Sequence, residues 1–209
     1  YAIFVSGKYA YTANWGNNTM SIFDISNPLY PKLITSTAVQ GSPRSIYVSG
    51  RYAYVGNSGN SSISIVDISD PFAAKQIKTV TVGGGIRGVY VSGKYAYTAN
   101  TSDDSISVVD ISNPNTAVQI ATTSVGDDPN SIYVSGKYAY VANQSGNSIS
   151  VVDISNPLAP AQVATTSVGN GPTSIYVSGR YAYTANLSAN SMSIVDISNP
   201  LAPTTTKSI

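Results

Sequence analysis

Ten aspartates are the only acidic residues in this chain, and four of them form two adjacent pairs, Asp103–Asp104 and Asp127–Asp128. Paired carboxylates can do two kinds of work. Two of them held about 5–9.5 Å apart hydrolyse glycosidic bonds. Several, combined with loop carbonyls, supply the roughly 6–8 oxygens that calcium takes. Four like charges close together repel unless a cation lies between them, which makes Asp103, Asp104, Asp127 and Asp128 the candidate calcium ligands. Their spacing matches no calcium-loop motif, and Arg87 offsets part of the charge. Other chemistry is excluded. With no His, no Cys and no Glu, there is no imidazole base, no thiolate and no zinc-thiolate site. Gly83-Gly84-Gly85 lacks the lysine and helix start of a phosphate loop. The remaining candidates suit ligand contact: Trp15, the only Trp, and Tyr1, Arg44, Arg87, Asn130 and Thr173.

The elements that position these residues follow from a repeat. Val-Ser-Gly starts at Val5, Val48, Val91, Val134 and Val177, and Asp-Ile-Ser at Asp24, Asp67, Asp110, Asp153 and Asp196, each with a step of 43 residues. In one unit, Ser45–Val48 and Tyr52–Val55 read as strands around a tight Ser49-Gly50-Arg51 turn. Ser62–Ile68 and Lys75–Val82 read as two more, separated by Ser69-Asp70-Pro71, where proline cannot continue a ladder. No stretch has helical periodicity. Four short strands per repeat of this length predict an all-β, five-bladed β-propeller with four antiparallel strands per blade. A β-solenoid is the alternative, but its coils are usually shorter. The blades are expected at 1–43, 44–86, 87–129, 130–172 and 173–209, one domain in all. Each blade is one continuous segment, so the expectation is a closed ring sealed by packing alone; the alternative is a set of units cut from a longer array. With neither initiator Met nor signal sequence, the chain reads as a mature product or an excerpt.

Fourteen of the 16 tyrosines fall in three repeated columns, which predicts blade-to-blade packing. Lys8, Arg51, Lys94, Lys137 and Arg180 share a rim with the repeated Asp, predicting turn caps or ion pairs. Two loops vary between copies: the one between the second and third strands, which carries Trp15, and the one leading from blade to blade. Strands alternate in direction, so both loops share one face. Tyr1, Arg44, Arg87, Asn130 and Thr173 occupy the column that opens the innermost strand, and are expected to ring the channel mouth on that face. Variable loops on a rigid scaffold suit a binding site; drift at tolerant loop tips is the competing explanation.

Tyr-Ala-Tyr-Val-Ala-Asn (138–143) followed by Ser-Ile-Ser-Val-Val-Asp-Ile-Ser-Asn-Pro (148–157) resembles the LVIVD family of propeller repeats, over all five units. The Tyr-Thr-Ala-Asn and Tyr-Val-Ala-Asn segments are also similar to the YVTN repeats of microbial surface-layer propellers. These resemblances imply the fold and an extracellular or cell-surface setting, and carry no catalytic motif. The expected function is a non-enzymatic binding or adhesion module that contacts a glycan or protein through the variable face. A spacer or lattice unit of a larger surface protein, with further domains, is the alternative, and a glycosidase-like enzyme the remote one. No cofactor beyond calcium is indicated. A net charge of +1 gives no drive toward nucleic acid, and no apolar run reaches the roughly 20 residues of a membrane span. Sequons at Asn17, Asn60, Asn100, Asn143 and Asn186 are expected to lie at accessible loop positions.

Overall fold

A computed structural model of the chain describes residues 1–209. Five four-stranded antiparallel sheets follow one another, each built from consecutive strands. In blade 2 the strands are Pro43–Ser49, Tyr52–Asn57, Ser62–Asp67 and Lys75–Thr81. β-branched and aromatic residues alternate along them, so each sheet has two apolar faces. The first hairpin turns at Gly50, whose φ of 57° favours a residue without a Cβ. The third strand ends where Asp67 Oδ1 accepts the Ser69 N–H at 2.9 Å. The same bond recurs at Asp24, Asp110, Asp153 and Asp196, and Arg51 and Arg180 each reach the Asp of their own blade at 3.2 Å. The only helical turn is a 3-10 segment, Pro114–Thr116.

The core lies between blades. Tyr54, Ile63 and Ile65 of blade 2 pack on Val89, Val91, Val109 and Ile111 of blade 3. The three interfaces between blades 1 and 2, 3 and 4, and 4 and 5 repeat this arrangement. Burial pushes the Tyr54 and Tyr97 hydroxyls up to about 12. Nearer the axis, rings from successive innermost strands form a ladder, Phe4–Tyr47–Tyr90–Tyr133–Tyr176, with centroids 4.8–5.1 Å apart.

The ladder does not close. Tyr176 is 59% exposed, and no core cluster joins blade 5 to blade 1. Ile3 and Val5 are 64% and 55% exposed, whereas their counterparts Ile46 and Val48 are 6% and 7% exposed. The expected closed ring is therefore corrected: the five blades form an open arc with two uncovered end faces. Closure depends on the angle between neighbouring blades, which a count of strands and residues does not carry.

Replacing Tyr97, which is 3% exposed, by alanine should cost about 3–5 kcal/mol, whereas Trp15→Ala should leave the melting temperature nearly unchanged. Equal losses would show that one of the two is wrongly placed. The repeated aspartates predict an acid limb. Hydrogen bonds from the hydroxyl and N–H of the serine two residues on hold each carboxyl below its ordinary value. Stability from these bonds is complete above the ordinary carboxylate range and is lost as the pH falls through the depressed folded values. Melting curves should be flat from about pH 7 to 5 and move down below about pH 4; replacing all five by Asn should flatten that decline.

Candidate functional site

The innermost strands converge on a concavity of about 490 Å³ at the mouth of the channel. One column supplies its polar wall: Tyr1, Arg44, Arg87, Asn130 and Thr173 all line it. The column sits just inside the loop that enters each blade, so each step around the axis presents a different side chain at the same height. The floor is the next pair of residues along each strand, such as Ser45-Ile46 and Gly88-Val89.

Several contacts fix these side chains. The Arg44 guanidinium lies 4.8 Å from the centre of the Tyr1 ring, and Trp15 leans on the same ring, with centroids 5.9 Å apart. Trp15 does not line the concavity; it is 45% exposed beside it. Arg87 Nη1 donates to Gln144 Oε1 at 3.3 Å, and Asn130 Nδ2 donates to the same oxygen. Gln144 occupies the Trp15 position of blade 4, in the same variable loop, but a glutamine in a polar loop carries no signal that singles it out. Arg44 and Arg87 have no carboxylate partner, and no acidic residue lines the concavity. Ser45 is 8% exposed and its hydroxyl has no partner within the protein.

Beneath the mouth, the asparagine that ends each second strand is a cross-brace, buried in blades 2 to 5. Asn100 Nδ2 donates to Ser105 Oγ at 3.1 Å and Ser107 Oγ at 2.9 Å, and Ser107 Oγ accepts the Gly83 N–H from the loop leaving blade 2. A Cβ on Gly83 would lie 2.5 Å from Asn100 Nδ2, so glycine allows the close approach there; Gln40 makes the equivalent bond, to Ser64 Oγ, in blade 2 at 3.3 Å. The loops interlock through backbone bonds, as in Ser102 N–H to Gly84 O and Gln144 N–H to Asp128 O. The accessible sequons are corrected accordingly. Asn17 and Asn60 are exposed, but Asn100, Asn143 and Asn186 are buried, their amides committed to serines.

The calcium site is also corrected. No group of three or more acidic side chains is placed to hold a metal ion. Asp103 Oδ2 accepts the Gly84 N–H on the loop entering its blade, whereas Asp104 Oδ1 accepts the Asp128 N–H on the loop leaving it. Asn60 and Asn18 make the same bonds at equivalent positions in other blades, so the role needs an acceptor rather than a charge. Asp128 Oδ2 accepts from the Ser145 hydroxyl, and the Asp127 carbonyl accepts the Gly146 N–H.

The LVIVD repeat matches the chain five times, at residues 2–39, 40–78, 83–119, 126–166 and 172–209. No curated protein matches it. Among solved structures, a functionally unknown protein from Desulfotomaculum acetoxidans superposes with a TM-score of 0.84 at 18% identity, covering 99% of this chain and 68% of its own. A protein from Lactobacillus plantarum gives 0.85 at 15% identity, covering 99% and 70%. A periplasmic gluconolactonase from Pseudomonas aeruginosa gives 0.83 at 17% identity, covering 97% and 67%. At these identities the likeness is one of fold.

One substitution tests the cross-brace. Thr98 Oγ1 donates to Asn100 Oδ1 at 2.7 Å, but valine stands at the equivalent positions 55 and 141, and there Asn57 Oδ1 and Asn143 Oδ1 have no partner. Thr98→Val should therefore cost about 1–3 kcal/mol in denaturant unfolding, while Val141→Thr should be neutral or stabilising.

Proposed function

The chain belongs to the LVIVD repeat family, and from that premise we propose that it is a non-enzymatic binding module, secreted or displayed at a cell surface, whose channel mouth holds an acidic group on a glycan or protein. The observation that carries this reading is the pair Arg44 and Arg87, both lining one concavity without an acidic neighbour in its wall. On the opposite rim Arg51, Lys137 and Arg180 each have an aspartate partner. A guanidinium takes a carboxylate, sulfate or phosphate through two parallel hydrogen bonds. Asn130, Thr173 and the unpartnered Ser45 hydroxyl add neutral polar groups, and the exposed Trp15 beside Tyr1 offers a stacking surface for a sugar ring. Hydrolysis finds no support in the wall, which contains no carboxylate, imidazole or thiol to act as a base. The likeness to a gluconolactonase extends to the fold and adds no base.

The second reading, a spacer or lattice unit of a larger surface protein, draws on the interlocked loops. Many of their bonds run through the backbone, so the side chains that hold no neighbouring loop are free to vary without any ligand to select them.

Calorimetry with oligogalacturonate, its neutral methyl ester and an Asp-rich peptide separates the two. A module of the proposed kind binds an acidic ligand, and binding weakens with added salt. Arg44→Gln and Arg87→Gln should each weaken it by about tenfold or more, the loss expected for one charge-assisted contact, without lowering the melting temperature. No heat with any acidic ligand, or equal binding of ester and acid, would overturn the reading.

A further inference from the structure

The two end faces of the arc are the halves of an interface that the molecule already makes four times. Blade 5 presents Tyr183, Ala185, Met192 and Ile194. Blade 1 has the same four residue types at the same positions, Tyr11, Ala13, Met20 and Ile22, and there they are at most 4% exposed, packed against Ile46 and Val48 of blade 2. In blade 5, Ala185 is exposed and the other three are only partly buried. The opposite end mirrors this. Blade 1 presents Ile3 and Val5, both exposed, and the partly buried Ile25, the same residue types as Ile46, Val48 and Ile68, which are buried against blade 1.

We propose that these two faces are covered by further blades of this same repeat, about two in number and continuous with these five, which complete the ring. Exposed apolar side chains gathered on one face mark a contact site, and head-to-tail faces of this kind generate a ring when the rotation closes. The number comes from length. Three of the solved structures that superpose on 99% of this chain are about half as long again, which leaves room for about two blades of this size. A second copy of the chain does not suit the gap, because it would bring five blades to a space for about two.

The 43-residue period supplies the test. Residues 81–123, 81–166 or 81–209 joined after Ile209 continue the repeat in register and add one, two or three blades. In a stack of repeats each added blade contributes one new interface, but the blade that closes the ring contributes two. The second added blade should therefore raise the melting temperature by clearly more than the first. It should also abolish binding of an apolar dye to the end faces, and the protein should stay monomeric. Val5→Lys is the control for site. It should be tolerated in the 209-residue chain, where Val5 is 55% exposed, and should lower melting by several degrees in the chain with two added blades. Equal steps for every added blade, or a Val5→Lys variant tolerated equally in all chains, would overturn the proposal. So would a 209-residue chain that pairs with its own copy through Val5 and shows no step on extension, which would assign the faces to a second copy.

Discussion

A four-stranded sheet with apolar residues on both faces has nowhere to put them on its own, and stacking blade on blade is what makes this chain a protein. Each interface takes Tyr, Ile and Val from one blade and Ile, Val and Ala from the next. No blade has a core inside itself. Stability is therefore shared between neighbours, as in other repeat architectures. The aromatic ladder near the axis and the buried tyrosines behind it belong to the same arrangement. Burial raises the hydroxyl pKa of Tyr54 and of Tyr97.

The polar parts rest on that stack. Each Asn–Ser cross-brace ties the second strand to the third, and in blades 3, 4 and 5 a glycine of the incoming loop settles on it. Loop positions are thus fixed by main-chain geometry, and the side chains at the channel mouth are fixed by loop positions. A scaffold of this kind holds its backbone while the outward residues change from blade to blade. That is how one repeated unit comes to display Tyr, Arg, Arg, Asn and Thr around a single opening.

Much of this could be read in the sequence. An invariant period and alternating apolar residues specify the strands, and the antiparallel path of the chain puts both variable loops on one side. Arg44, Arg87 and their column could thus be assigned to the mouth before any coordinates. What could not be read depends on direction rather than order. Asp103 and Asp104 are adjacent in sequence yet bond to loops on opposite sides of their blade, so a cluster of four acids never forms. Asn100, Asn143 and Asn186 match a surface motif, but they end strands whose last residue turns inward. The angle between blades is set by side-chain volumes at each interface, and residue counting misses it; the open arc follows from that angle.

Trp15 leans on Tyr1 at the edge of the mouth, and the chain has 16 tyrosines but no second tryptophan. Light absorbed by the tyrosines can pass to a single indole, so the emission of this protein is reported from one place. That indole is 45% exposed and next to the concavity, where its colour follows the polarity around it. The molecule thus carries its own optical gauge beside the channel mouth, and no label is needed to watch it.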